Sequence, residues 1–295
     1  MKSQSLRTAR DISYANSARS KGGRALIRAM ENTTGRLSLV KRARGYEDAV
    51  ARGESFFDVM VDRYGLSLKV VGGTLDNIPS DGPLIVIANH PYGILDGLML
   101  GHILSRTRGD FRIMANSVFT RAPDLMSNLL PISFDTDKAA LALNLETRKT
   151  ALAYLGQGGV VGIFPGGTVS TGATPFGPPM DPRWRSFTAR MIAKSNATVV
   201  PIYFDGHTGR LFQIASHLHA NLRMGLLIKE FRKRVDTPVR VAIGTAIPRG
   251  ALQPMVGDAK GMMDFLRKAT YELSPNPDKR FDLGYEFEDR HRADR

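Results

Sequence analysis

Leu84-Ile85-Val86-Ile87-Ala88-Asn89-His90-Pro91-Tyr92-Gly93-Ile94-Leu95-Asp96-Gly97 is the stretch that decides how the rest of the chain is read. Its first five residues form an unbroken apolar run closed by a Pro/Gly turn, the pattern of a strand buried on both faces. Such strands belong to parallel sheets covered by helices. The turn presents a histidine, and a carboxylate follows six residues later, where the next helix should begin. A second apolar run, Val160 to Phe164, leads into another glycine-rich turn, Phe164-Pro165-Gly166-Gly167-Thr168-Val169-Ser170. Ligands of open α/β sheets bind beyond the carboxyl ends of the strands, so two such loops suggest one site.

Working outward, strands and helices alternate from Leu66 onward. Strands are expected near 67–71, 84–88, 111–115, 159–164, 198–204 and 239–243. One helix should run from Asp96 to about Ser105. A second, opening near Asp137, should carry Leu141, Leu145, Leu152 and Leu155 on one face, interrupted by Arg148. A third should open at Asp181-Pro182, an N-cap followed by proline at the first helical position, and present Trp184, Phe187 and Met191. A last helix is expected over about 258–273. The fold class is therefore α/β, a largely parallel central sheet flanked by helices. Residues 1–64 read as a basic arm, poorly ordered over 1–24, followed by amphipathic helices; 65–250 as the αβ domain; 251–295 as a C-terminal helix and charged tail.

The 295 residues include no cysteine, which excludes a disulfide scaffold, thiolate catalysis and a thiolate metal site. No apolar stretch approaches the roughly 18 residues that cross a bilayer, and the first 24 lack the apolar centre of a secretory signal. A cytoplasmic protein is the expectation. Net charge is +13, and residues 1–52 hold twelve Lys/Arg against four Asp/Glu. A further basic run, Lys229-Glu230-Phe231-Arg232-Lys233-Arg234, comes late in the chain. A polyanionic partner would explain this: nucleic acid, anionic lipid headgroups or an acidic carrier protein. A solubilising arm is the plainer alternative.

Taken singly, Asp96 could be a helix cap, His90 a buried packing residue, and Pro91 and Gly93 turn punctuation. The glycine-rich turn lacks both the Gly-Lys-Ser/Thr ending of a P-loop and the dinucleotide spacing. Ser170 is outside any Gly-x-Ser-x-Gly elbow. His217 and His219 lie two apart in a stretch that reads as helical, so no metal site is expected; His102 reads as packing. A basic, non-catalytic lipid- or nucleic-acid-binding protein would explain the charge but leave the His/Asp turn without purpose. No nucleic-acid motif supports it.

Asn89-His90…Asp96, the Phe164–Ser170 block and Val199-Val200-Pro201-Ile202 together resemble the glycerolipid (lysophospholipid) acyltransferases, the lysophosphatidate acyltransferase-like superfamily. Order and spacing match over roughly residues 65–250. The resemblance implies an αβ domain with N-terminal helices on a membrane face. It implies transfer of a fatty acyl chain from acyl-CoA or acyl carrier protein to a lyso-lipid hydroxyl, without a further cofactor. His90 and Asp96 would be catalytic, His90 as general base and Asp96 orienting it. Backbone N–H groups of Gly166, Gly167 and Thr168 would face the carbonyl oxygen. Asn89, Gly93, Phe164, Pro165 and Ser170 would complete the substrate-binding set. It further implies a peripheral protein on the inner face of the cell membrane, bound to an anionic bilayer surface.

Two departures stand out. Five residues separate His90 from Asp96 where most members have four, a longer form found in a haemolysin-like subgroup. Gly166 and Val169 stand where members carry Glu and Arg, a charged pair that helps hold a glycerol-phosphate acceptor. Lysophosphatidate is thus the alternative acceptor, and a lyso-aminolipid of the ornithine-lipid kind the better expectation. Arg112, Arg148 or Lys149 would be the substitute cations.

Overall fold

The computed structural model describes residues 13–18, 20–121, 123–135, 137–276 and 282–287. Seven strands, β1 (Ser67–Gly72), β2 (Leu84–Ala88), β3 (Arg112–Asn116), β4 (Leu129–Ile132), β5 (Val160–Ile163), β6 (Thr198–Phe204) and β7 (Pro238–Ile243), form one sheet. Their order is β1-β7-β6-β2-β5-β3-β4, parallel at each junction except the antiparallel β6–β7 pair. All five residues of β2 are buried, as an unbroken apolar run at the sheet centre requires. From β2 the chain leaves toward β3 and β4, returns to β5 on one side of β2, then crosses to β6 on the other. The carboxyl end of β2 is therefore a topological switch point, where such sheets open a crevice.

Six of the strands lie where the sequence pattern puts them. The seventh, β4, is Leu129-Leu130-Pro131-Ile132, four residues with a proline inside, which carries little strand signal. Proline is tolerated there because β4 is an edge strand.

The basic N-terminal region folds as four helices, α1 (Lys21–Thr34), α2 (Arg36–Ala43), α3 (Tyr46–Ala51) and α4 (Phe56–Arg63), the last three packed on the sheet core and α1 on the later helix Ala220–Arg232. The expected disorder of 1–24 lies outside the described residues at 1–12 and 19. It is corrected for the rest: Tyr14–Ser17 form a 3₁₀ turn, and α1 begins at Lys21 with the Ser20 hydroxyl accepting the Gly23 N–H. Fully buried Glu31 fastens this turn by accepting the Ser13 hydroxyl and the Tyr14 N–H, both at 2.6 Å. Among the described residues no helix is long and apolar enough to cross a membrane.

After β2 comes α5 (Ile94–Thr107), which starts two residues before Asp96 because Gly93 takes the left-handed φ of 78° that ends the turn. Helix α6 (Lys138–Gly156) is capped by Asp137 as expected. Its inward face, however, is Ala140, Thr147, Ala151 and Leu155, leaving Leu141 and Leu145 exposed. Helix α7 (Ser186–Ala193) does not open at Asp181-Pro182. Asp181 is fully buried, and other loops consume its carboxylate, so it caps nothing. Helices α8 (Arg210–Leu218), α9 (Ala220–Arg232), α10 (Arg249–Leu252) and α11 (Ala259–Tyr271) complete the fold. Part of the expected charged tail, 282–287, folds back and buries Phe287 completely; 277–281 and 288–295 lie outside the described residues.

Candidate active site

His90 leaves the end of β2 pinned at its backbone: its N–H donates to Asp181 Oδ1 at 3.2 Å, and its carbonyl accepts the Ser170 N–H at 2.8 Å. The imidazole is 18% exposed and stacks on Phe164, with ring centroids 4.3 Å apart. Its Nδ1 lies 3.0 Å from Oδ2 of Asp96, whose side chain has no exposure. The separation is that of a hydrogen bond, but the ring N–H points off the carboxylate, so the pair touches without being aligned. Hydrogen bonds of this kind often tighten only around a substrate.

The extra residue between His90 and Asp96 is absorbed in the turn. Asp96 Oδ2 accepts the N–H groups of Tyr92 at 2.7 Å and Gly93 at 3.0 Å, the first turn of α5 supplying both cap and carboxylate. Complete burial pushes the Asp96 carboxyl above its ordinary value, an effect offset only in part by His90 and these two N–H groups. The carboxylate thus lies within reach of Nδ1, where a group that orients the ring would sit.

A cavity of about 580 Å³ opens beside His90. Residues at the carboxyl ends of β2, β3, β4 and β5 form its floor, among them His90, Asn116, Ser133 and Phe164. From there it runs inward between the sheet and the N-terminal helices, past Gly97 and Leu98 to Leu39, Phe57 and Met60. This inner part is apolar, the shape of a slot for a hydrocarbon chain. Tyr14 of the N-terminal turn closes one wall, its phenol pushed up by burial, with Glu31 and Asp96 adding to the rise.

The second glycine-rich turn contributes Phe164, Gly167, Thr168 and Val169 to the wall. The Gly167 N–H closes the turn on the Phe164 carbonyl at 3.0 Å and is spent there, a correction to its expected role toward substrate. Gly166 lines neither this cavity nor the smaller one beside it; a Cβ on it would lie 3.3 Å from the Asp181 carboxylate, so a glutamate here would crowd a buried acid. Ser170 is also turned away, donating its hydroxyl to Asp181 Oδ1. Asn89 spends its amide on the Phe204 backbone, donating to the carbonyl at 3.0 Å and accepting the N–H at 2.7 Å, which fastens β2 to β6. Pro165 lines a smaller neighbouring cavity and accepts the Arg185 N–H.

None of the expected substitute cations lies at the site. Arg112 pairs with Asp110 at 2.9 Å and covers the Tyr154 ring, and Arg148 and Lys149 line neither cavity. The residue that sequence reasoning missed is Arg223 of α9. It is 1% exposed and donates to Thr168 Oγ1, Val169 O, Thr171 Oγ1 and Ser216 Oγ at 2.7–3.0 Å, between the rings of Phe212 and Phe287. Its guanidinium thus holds the glycine-rich turn in shape. Asp181 was missed as well: besides His90 and Ser170 it accepts Trp184 Nε1–H at 2.8 Å. His217 faces the Gly172 carbonyl and His219 accepts the Asn221 N–H as the cap of α9, while His102 contacts Asp58 at 2.5 Å between α5 and α4.

Residues 69–205, which span both loops, match the family model described as Acyltransferase. Over that span the chain is similar to the acyltransferases. It is an acyltransferase of the lipid type. It is 23% identical over 203 residues to a lyso-glycine lipid O-acyltransferase of Phocaeicola vulgatus, covering 66% of this chain and 70% of that one. It is 24% identical over 203 residues to the protein so named in Bacteroides thetaiotaomicron, covering 66% and 71%. A solved structure, the 1-acyl-sn-glycerophosphate acyltransferase PlsC from Thermotoga maritima, aligns with TM-score 0.43 at 17% identity, covering 76% of this chain and 83% of that one.

Proposed function

We propose that this acyltransferase moves a fatty acyl chain from an acyl thioester, acyl-CoA or acyl carrier protein, to the hydroxyl of a lyso-aminolipid of the glycine- or ornithine-lipid kind. The observation that carries the reading is the His90–Asp96 pair opening onto one long apolar cavity. His90 Nε2 removes the hydroxyl proton as the oxygen attacks the thioester carbonyl. Asp96 holds the tautomer and stabilises the imidazolium that forms. General-base catalysis of this kind is worth about 10²- to 10⁴-fold. With the Gly167 N–H committed to the turn, the Thr168 amide is the donor we assign to the carbonyl oxygen. The thiolate leaves with the proton that His90 returns, and the acyl chain occupies the slot that ends near Met60.

The acceptor is inferred from what stands in the second loop and from the names of the two relatives. Val169 packs on Gly93 and Leu227, so no cation from this position reaches the cavity. That favours an acceptor without glycerol phosphate over lysophosphatidate. The net charge of residues 1–52 supports peripheral attachment to an anionic bilayer at the cytoplasmic face of the membrane, where such an acceptor resides.

The test is competition between N-(3-hydroxyacyl)glycine, its ornithine counterpart and lysophosphatidate for one acyl thioester. Preference for either aminolipid is the expected result. A clear preference for lysophosphatidate overturns the acceptor, and turnover that survives His90→Ala overturns the mechanism.

A further inference from the structure

Beside the main cavity lies a second one of about 290 Å³, which shares Phe134, Phe164 and Gly167 with it. Arg185 lines this smaller cavity. Its backbone is fixed by the N–H bond to the Pro165 carbonyl, and its guanidinium covers the Phe134 ring at 5.8 Å. A Cβ placed on Gly167 would lie 3.1 Å from Arg185 Nε, so the cation sits directly over the glycine-rich turn. That Nε is buried and has no hydrogen-bond partner among the described residues. A buried guanidinium N–H without an acceptor is costly, and an anionic ligand held in this cavity would satisfy it. Asp135 lies exposed on the rim, its backbone N–H donating to the Ser133 hydroxyl at 3.2 Å.

Resting on the acceptor proposed above, we infer that Arg185 is the subsite for the acceptor's carboxylate, and so selects a lyso-lipid whose headgroup is an amino acid. Covalent reach decides which substrate anion fits. In an N-(3-hydroxyacyl) amino acid, seven bonds separate the reacting hydroxyl oxygen from a carboxylate oxygen, about 8 Å when extended. In a phosphopantetheine thioester the nearest phosphate is about 15 Å from sulfur. The Arg185 N–H bonds the carbonyl of Pro165, the residue after Phe164, on whose ring His90 stacks, so the shorter-reaching carboxylate is the anion we assign to it. The planar fork of arginine matches that carboxylate with two parallel hydrogen bonds. Because the headgroup is then anchored in the small cavity, the acceptor's hydroxyl is presented to His90 while its own chain shares the apolar slot.

The experiment compares N-(3-hydroxyacyl)glycine with its neutral glycinamide counterpart, using wild-type protein, Arg185→Gln and Arg185→Lys. The expected result is that Arg185→Gln raises KM for the carboxylate acceptor by about 10- to 100-fold and leaves KM for the thioester unchanged. It should also erase the preference for carboxylate over carboxamide, with Arg185→Lys recovering part of it. An unchanged acceptor KM, or a preference that survives the substitution, overturns the inference. A rise confined to the thioester KM would assign Arg185 to the donor's phosphate instead. Binding of N-(3-hydroxyacyl)glycine to His90→Ala protein, with and without Arg185→Gln, reads the subsite in the absence of turnover. Arg185-dependent binding with no turnover by wild-type enzyme would sink the proposed reaction while leaving the subsite standing; equal binding to both proteins sinks the subsite. Thermal melts of both variants separate lost binding from lost folding.

Discussion

One oxygen of Asp181 accepts both the backbone N–H of His90 and the hydroxyl of Ser170, so a single carboxylate ties the two strand-end loops together. Asp181→Ala strips acceptors from three buried donors at once, each costing about 1–3 kcal/mol. Denaturant unfolding should show a loss of several kcal/mol, whereas Ser170→Ala, which removes only one donor, should cost about 1 kcal/mol and keep most activity. Equal losses for the two would show that Asp181 is not the hub.

Asp96→Asn separates chemistry from stability. The Asp96 carboxyl is pushed up by burial, so the folded state holds its proton more tightly than the unfolded state does. Wild-type stability contributed by this group is therefore present below the unfolded value, near pH 4, and is lost as pH rises through the raised folded value. Asparagine does not titrate, so its stability relative to wild type should improve from about pH 4 toward neutrality while turnover falls. A stability difference that is flat with pH would contradict the burial argument.

Arg223→Met keeps much of the bulk between Phe212 and Phe287 but removes three donated hydrogen bonds to the loop around Thr168 and a fourth to Ser216 of α8. We expect kcat to fall by at least about 10-fold, because 1.4 kcal/mol of lost positioning is enough for that. Arg223→Lys should not restore it, since an ammonium cannot span the same partners. Full activity in the lysine variant would show that charge, not the fork, is what matters.

Gly97 lines the cavity, and a Cβ there would meet nothing within 4 Å. Gly97→Leu should therefore leave the melting temperature close to wild type while shifting thioester preference to shorter chains. By contrast, a Cβ at Gly101, one turn on, would fall 2.1 Å from the ring of buried Phe57. Gly101→Ala should destabilise by about 1–3 kcal/mol. An unaltered chain-length profile in Gly97→Leu would move the acyl chain out of this slot.

Co-sedimentation with vesicles should rise with anionic lipid content and fall with salt, since each Lys or Arg near such a surface contributes about 1 kcal/mol that counterions screen. Replacing Lys41, Arg42 and Arg44 with glutamine should weaken it. Binding that ignores both lipid charge and salt would favour an acidic carrier as the polyanion.

What the sequence made legible was local. An unbroken apolar run can only be a strand covered on both faces, and His90, Gly93 and Asp96 sit within one turn and the start of one helix. Both facts are written in adjacent residues. Asp181 was misread because Asp-Pro is a good helix opening in isolation, and nothing nearby records that its carboxylate serves His90, 91 residues earlier. Arg223 reaches Thr171 across 52 residues and sits in an unremarkable helical segment. The cations chosen in their place, Arg112 and Arg148, were picked by residue type, which carries no information on direction. Likewise the first half of the leucine stripe of α6, Leu141 and Leu145, faces water, while Ala140, Ala151 and Leu155 pack toward the core.

Both extremities of the described chain arrive at the same place: Tyr14 walls the cavity, and Phe287 covers the arginine that shapes its second loop. All seven strands of the sheet lie between them, within residues 67–243. Proteolytic trimming before residue 282, or a fusion partner grafted near Tyr14, would leave a folded protein with an unfinished site, so an inactive tagged preparation need not be a misfolded one.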